Sequence, residues 1–327
     1  MKIAIIGGGA VAEMFHIPAS IELLGIENVY LIEKEESQRK KLISKFSLIH
    51  VFESYESNLN QVDIVIIATP PHTHLQIIAD CISNNIPVLC EKPLVLKASE
   101  CDEIIKLNTN NGLIALCHTY RFFPNRNEVK RLLKENFFGE NIFVSIQEGD
   151  PTEWPVISGY TFRKELVPGG VLLDGGIHSL DFLLWCFGEV KSLSYEDDSL
   201  GGIESNAEIK LVFEENTKAI FRISRTCSLE NKITISGDKN SVELDIFEMS
   251  NMKINGIETK IDSEKKYDWS TIASYQLQDF IDSVSSESTV KCSLEDGIKV
   301  INVIDSCYSI KKNKALLKEA PLPGLRF

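Results

Sequence analysis

The chain has no Cys-x-x-Cys pair, no excess of positive charge and no apolar run approaching about 20 residues. Each absence excludes something. The eight cysteines stand at 81, 90, 101, 117, 186, 227, 292 and 307, a scatter that offers neither a zinc ribbon nor a redox motif. In a chain of 327 residues that count does not make a disulfide scaffold, so they read as reduced thiols of a cytoplasmic protein. The formal net charge of −13 argues against nucleic acid and against an anionic membrane, which need clustered Lys and Arg. The apolar run Ile3-Ala4-Ile5-Ile6 is stopped by Gly7 to Gly9, too soon for a signal-peptide core. Repeats and low-complexity segments are also missing. At 327 residues, 43% hydrophobic and 25% charged, the composition fits two globular domains of ordinary size.

What is present begins with a strand, a glycine turn and a helix. Residues 3–6 are apolar throughout, as in a central parallel strand covered on both faces. Gly7-Gly8-Gly9-Ala10-Val11-Ala12 follows and fits G-x-G-x-x-A. Gly7 permits the tight turn, Gly9 lets backbone approach a pyrophosphate, and Ala12 lets the helix pack close. The helix is expected over 10–24, kinked at Pro18 and ended by Gly25. Its N–H groups, Ala10 and Val11 among them, would face phosphates.

A second strand, 29–32, ends at Glu33. An acid there accepts hydrogen bonds from the adenosine ribose hydroxyls and repels a 2′-phosphate, which favours NAD over NADP. Lys34 next to it is the feature that would suit NADP. Further strands are expected at 49–52, 62–68, 86–90 and 113–117, alternating with helices, and this makes a doubly wound parallel sheet. The loop Thr69-Pro70-Pro71-His72-Thr73-His74 closes one strand, where the middle of a dinucleotide should lie. His72 and His74 could form a metal pair, but no further ligand is near in sequence and no metal is expected. Glu91-Lys92-Pro93 closes the next strand.

After Cys117 the rhythm changes. His118-Thr119-Tyr120-Arg121-Phe122-Phe123-Pro124 is an aromatic and polar loop, and a helix over about 125–135 follows. Strands with alternating residues at 207–213, 218–224 and 242–246 then indicate a broad antiparallel sheet. Two helices, near 271–285 and 294–311, close the chain. One face of such a sheet commonly packs against another subunit, so a homodimer or homotetramer is expected. The division expected is 1–118 for the cofactor and 119–327 for substrate and oligomerisation.

One helix interrupts the sheet region, from Pro168-Gly169-Gly170 to Trp185. Asp174, His178 and Asp181 share one of its faces, a polar stripe on an otherwise apolar helix. Gly175 and Gly176 would each destabilise that helix by about 1 kcal/mol relative to alanine, tolerable where a ligand or backbone comes close. A histidine suits proton transfer to or from a carbinol near neutral pH.

Together, Gly7-x-Gly9-x-x-Ala12, Thr69-Pro70-Pro71 with His74, Glu91-Lys92-Pro93, Tyr120-Arg121-Phe122 and Gly169-Gly170-x-Leu172-x-Asp174-x-Gly176-x-His178-x-x-Asp181 resemble the Gfo/Idh/MocA oxidoreductases. Ser293 to Gly297, with Ser309, is similar to the C-terminus of that family. The resemblance spans nearly the whole chain. It implies an α/β protein: an N-terminal Rossmann domain, then an α/β domain with a large open, mostly antiparallel sheet. It implies reversible oxidation of a secondary hydroxyl on a sugar, sugar nucleotide or cyclic polyol. By motif, Lys92 would hydrogen-bond the reacting hydroxyl, His178 would be the general acid/base, and Asp174 would bind or orient substrate. Gly7, Gly9, Ala10, Val11, Ala12, Glu33, Thr69, Pro70, His74, Glu91 and Lys92 would hold NAD. Tyr120, Arg121, Trp154 and Arg163 would join Asp174 and His178 around the substrate. The Lys92–Pro93 bond is often cis in the family. Two alternatives fit the same residues: a redox-neutral, NAD-dependent glycosidase-type enzyme, and a non-catalytic cofactor-sensing protein.

Overall fold

The computed structural model describes residues 1–151, 163–262, 264–286 and 288–313. In chain order the first elements are β1 (Ile3–Ile6), α1 (Ile17–Leu24), β2 (Val29–Ile32), α2 (Glu36–Phe46), β3 (His50–Phe52), β4 (Ile64–Ile67), α3 (His74–Ser83), β5 (Val88–Cys90), α4 (Ala98–Leu107) and β6 (Ile114–Leu116). They form a six-stranded parallel sheet in the order β3-β2-β1-β4-β5-β6. The order reverses between β1 and β4, which opens a crevice at their carboxyl ends. All residues of β1 and β4 are buried, which explains why both read as unbroken apolar runs.

The expected irregularity in the first helix falls one turn early. Ala12–His16 forms a π-helical turn, with the Ile17 N–H bonded to the Ala12 carbonyl, directly before Pro18. Such a turn is one way a helix accommodates a proline, which has no N–H to give and crowds the preceding turn. Gly25 ends the helix at φ 81°.

The remaining elements are α5 (Pro124–Lys134), β7 (Phe143–Gly149), α6 (Ile177–Phe187), β8 (Val190–Asp197), β9 (Asn206–Phe213), β10 (Lys218–Ser224), β11 (Lys232–Ser236), β12 (Ser241–Asp245), β13 (Asn251–Ile254), β14 (Ile257–Lys260), α7 (Trp269–Ser286), α8 (Leu294–Ile310) and β15 (Lys312–Asn313). A nine-stranded sheet runs β14-β13-β12-β11-β7-β10-β9-β8-β15. It is antiparallel except where β10 meets β7 and β15 meets β8. Alternation sorts its faces. On β10, Ala219, Phe221 and Ile223 are buried, while Lys218 and Arg222 are exposed and Ile220 is half-buried.

Two compact units result. The first holds Met1–Thr119 together with Asp268–Ile301, and the second holds the described residues of 120–267 and those from 302 on. A single cut after residue 118 would put α7 in the second unit. Its side chains Leu277 and Phe280, 1% and 0% exposed, instead join the core of Ile3, Ile5, Ile17 and Ala19. Burying a side chain of that size stabilises by about 1.5–3 kcal/mol, which ties α7 to the first unit. Among the described residues no helix is long and apolar enough to cross a membrane.

Candidate active site

In the first unit the glycine turn sits at the crevice. Gly7 has φ 101°, and a Cβ there would lie 2.5 Å from the Ala68 carbonyl oxygen, so glycine is required where the loops after β1 and β4 meet. A Cβ at Gly9 would have nothing within 4 Å, so backbone is open to an approaching group there. Ala12 is fully buried against the sheet. Glu33, at the end of β2, accepts hydrogen bonds from the Gly8 N–H at 2.7 Å and the Glu35 N–H at 2.8 Å. The acid is thus held beside the glycine loop. An open backbone at the switch point and an acid fixed next to it fit a dinucleotide.

The loop after β4 is tied to the corner after β5 by His74. The ring is 0% exposed. Its Nε2 lies 2.9 Å from the Thr69 carbonyl oxygen, and its Nδ1 lies 3.0 Å and 3.2 Å from those of Pro93 and Leu94. Burial pushes its pKa below the ordinary value, although those carbonyls pull the other way. Proposed from sequence as a cofactor ligand, His74 has backbone carbonyls beside both ring nitrogens, and a neutral ring donates its single N–H to one side. His72 is exposed, so the two histidines do not form a metal pair. Thr69 and Thr73 share a hydroxyl–hydroxyl bond of 2.6 Å, and Thr73 also donates to the Pro70 carbonyl at 2.8 Å, which fixes the turn.

The Lys92–Pro93 bond is cis. Glu91 accepts from the Lys92 N–H at 3.1 Å and pairs with His16 Nε2 at 2.7 Å. Burial pushes the Glu91 carboxyl up, but His16 and Lys92 outweigh it and leave it below its ordinary value. Cys117 lies alongside, and the ligand atoms of His16, Glu91 and Cys117 fall within 4.8 Å of one another. Burial pushes the Cys117 thiol well above its ordinary pKa, and its hydrogen bond to Glu91 acts in the same direction. The 2.7 Å contact is a hydrogen bond, so the trio reads as support for the Lys92 corner.

In the second unit a π-helical turn, Leu172–Gly176, leads into α6. A Cβ on Gly169 would lie 2.2 Å from the Tyr308 hydroxyl, and one on Gly170 1.9 Å from the Glu204 carbonyl oxygen. The Glu204 carboxylate accepts from the Leu172 N–H at 3.1 Å and from Tyr308 at 2.8 Å. The two glycines therefore let Glu204 and Tyr308 grip the start of this helix.

The polar stripe divides by role. Asp181 is 0% exposed and forms a two-point ion pair with Arg121: Nε to Oδ2 at 2.9 Å and Nη2 to Oδ1 at 2.7 Å. Arg121, expected near substrate, is 3% exposed and engaged in that pair. His178 stacks on Tyr120, with ring centroids 5.0 Å apart. Tyr120 is buried, its other neighbours including Phe123 and the guanidinium of Arg126. Asp174 is the open member, its side chain 47% exposed, and Arg225 donates to it at 3.3 Å. Asp174, Gly175, Glu148, Asp150, Arg225 and Phe247 are among the residues lining a cavity of about 630 Å³. Arg163 is exposed at the head of a turn, outside that lining, and Trp154 lies outside the described residues.

Arg225 and Glu148 were not anticipated. Glu148 had a signal: it continues the inward alternation of Val144 and Ile146 on β7, and an acid on an apolar face needs a partner. One partner is Ser179, whose hydroxyl donates to it at 2.6 Å. Arg225 had none, since its partner is 51 residues away.

Comparison with known proteins bears on the family and the fold. A family described as "Oxidoreductase family, NAD-binding Rossmann fold" matches residues 1–119, and a "GFO/IDH/MocA C-terminal domain" matches residues 127–243. Trans-1,2-dihydrobenzene-1,2-diol dehydrogenase of Xenopus laevis is 28% identical over 233 residues, 66% of this chain and 68% of that one. An aldose-aldose oxidoreductase from Caulobacter crescentus, solved with glycerol, superposes with a TM-score of 0.82 at 21% identity, covering 95% of this chain and 97% of that one. A levoglucosan dehydrogenase solved with NADH and levoglucosan does so with 0.82 at 15% identity, covering 95% and 96%. With both halves matched in order, the chain belongs to the Gfo/Idh/MocA oxidoreductase family.

Proposed function

We propose that the protein catalyses reversible hydride transfer between NAD(H) and a secondary hydroxyl or ketone of a sugar, a sugar nucleotide or a cyclic polyol. The observation that carries this reading is His178, stacked on Tyr120 one helical turn from Asp174, which lines the cavity of the second unit. His178 exchanges the hydroxyl proton as general acid/base, its ring orientation set by Tyr120. Asp174 accepts a hydrogen bond from a substrate hydroxyl and is itself positioned by Arg225. Lys92 donates to the reacting oxygen and stabilises charge that develops on it. Gly7, Gly9, Ala10, Val11 and Ala12 would hold the pyrophosphate, and Glu33 the ribose. Thr69, Pro70, Glu91 and Lys92 would line the nicotinamide half. The bound nicotinamide supplies the hydride donor or acceptor. Relatives named for oxidising a diol, an aldose and levoglucosan support the substrate class. Glu33 supports NAD over NADP.

The exposed row on β10, with Lys218 and Arg222, supports self-association through the open face into a homodimer or homotetramer, which light scattering reads directly. The catalytic test incubates pure protein with NAD, or separately NADP, and a panel of polyols, sugars and sugar nucleotides. Absorbance of the reduced cofactor should appear with NAD and at least one polyol. A cofactor that never changes redox state with any of them overturns the reading.

A further inference from the structure

His16 closes the π-helical turn Ala12–His16, on the helix that begins at the glycine loop. A π turn contains one more residue than an α turn, which rotates every later side chain by about 100° around the axis. The ring delivered there is 6% exposed, and its Nε2 lies 2.7 Å from Oε1 of Glu91, 75 residues on. Against the push of burial, His16 and Lys92 hold Glu91 below its ordinary pKa. Its carboxylate is therefore ionised and only accepts, so Nε2 carries the proton of this bond. The other oxygen, Oε2, accepts from the Lys92 N–H at 3.1 Å, and the Cys117 thiol is a further donor to this carboxylate. Beyond Lys92, the carbonyl oxygens of Pro93 and Leu94 lie 3.0 Å and 3.2 Å from His74 Nδ1. The corner that carries Lys92 is thus held on one side from the loop after β4 and on the other from the glycine-loop helix. All of these residues belong to the first unit.

We infer that His16 is a positioning residue for the reaction, acting through Glu91 to fix the backbone that presents Lys92. The inference rests on the hydride-transfer reading, in which Lys92 meets the reacting oxygen, and adds to it a residue that works at one remove. A lysine ammonium stands at the end of a flexible four-carbon stem, so its placement depends on how firmly its own backbone is held. Without the Nε2 donor, Glu91 loses the 2.7 Å bond that aims it, and Oε2 is free to leave the Lys92 N–H. A misplacement of about 1 Å can lower a rate by about 10²-fold, so a loss of about 10- to 100-fold is expected. The loss should fall on kcat, because Lys92 stabilises charge that develops on the reacting oxygen only as the reaction proceeds.

The test compares replacements at His16 in the full chain. His16→Gln keeps an N–H that reaches Glu91, His16→Asn carries the same amide one methylene short, and His16→Leu has no donor. Rates are measured with NAD and a polyol that reduces it, and hydrogen exchange of the Lys92 N–H is followed with NADH bound. His16→Asn and His16→Leu should lose about 10- to 100-fold in kcat, with KM and NADH affinity within a few-fold of wild type. His16→Gln should stay near wild type. Exchange at Lys92 should quicken in the first two and not in the third. Added to Lys92→Ala, His16→Asn should lower kcat no further, since both changes act on one group. A merely structural role would lower the melting temperature and leave kcat per folded molecule unchanged. An unchanged kcat in His16→Asn, or a full further loss on top of Lys92→Ala, overturns the inference even if polyol oxidation stands. If wild type oxidises no polyol, the activity reading falls and exchange decides alone: faster exchange at Lys92 in His16→Asn upholds the placement, and unchanged exchange overturns it.

Discussion

The Nδ1 of His74 lies 3.0 Å from the carbonyl oxygen of Pro93, and its Nε2 lies 2.9 Å from that of Thr69. One buried ring thus joins the loop after β4 to the corner that carries Lys92. Both loops belong to the proposed cofactor site, so His74 is a brace for that site.

This brace predicts a pH dependence. Burial holds the folded imidazole below its ordinary value. The unfolded chain takes up a proton near pH 6.5, so below that pH it binds more protons than the folded state. Stability from His74 is therefore full above about pH 6.5 and is lost as pH falls through the folded value. Thermal melts between about pH 5 and 8 should show a steeper acid loss for wild type than for His74→Gln, which cannot titrate. Parallel curves would refute this.

The Arg121–Asp181 pair predicts a large stability effect. Removing one partner strands a charge at 3% or 0% exposure. Arg121→Ala or Asp181→Ala should lose about 3–5 kcal/mol in denaturant unfolding. Replacing both by apolar residues of similar volume should restore much of that.

Two glycines should behave in opposite ways. Gly170→Ala forces a Cβ to 1.9 Å from backbone, so the second unit should be destabilised by about 2 kcal/mol or more. Gly9→Ala meets open space, and its melt should stay within about 0.5 kcal/mol of wild type. NADH titration should nevertheless weaken in Gly9→Ala, because the new methyl occupies the pyrophosphate's approach.

His178→Ala should lower kcat by about 10²–10⁴, the usual contribution of a general acid/base. NADH affinity should hold within a few-fold. The histidine limb of the kcat/KM pH profile should disappear. Retention of that limb would assign the proton transfer to another group.

Much of this was legible in sequence because it depends on local spacing. A strand, a glycine turn and a helix are neighbours along the chain, so Gly7, Gly9, Ala12 and Glu33 declare the crevice without any tertiary information. Asp174 and His178 are four residues apart and fall on one face by helical geometry. The same periodicity put Asp181 beside them, but periodicity reports which residues are adjacent and not what each one meets.

Tertiary structure decided which polar groups are used up. Arg121 is consumed by Asp181 from 60 residues away, and His74 by carbonyls about 20 residues on. Arg225 reaches Asp174 from 51 residues away, and α7 returns to the first unit after the second has been built. The sequence by itself determined two successive α/β units and the stretches that carry chemistry. Only the folded chain decided which of those side chains face a cavity and which are locked inside, because a buried charge or imidazole must find its partner wherever packing brings one.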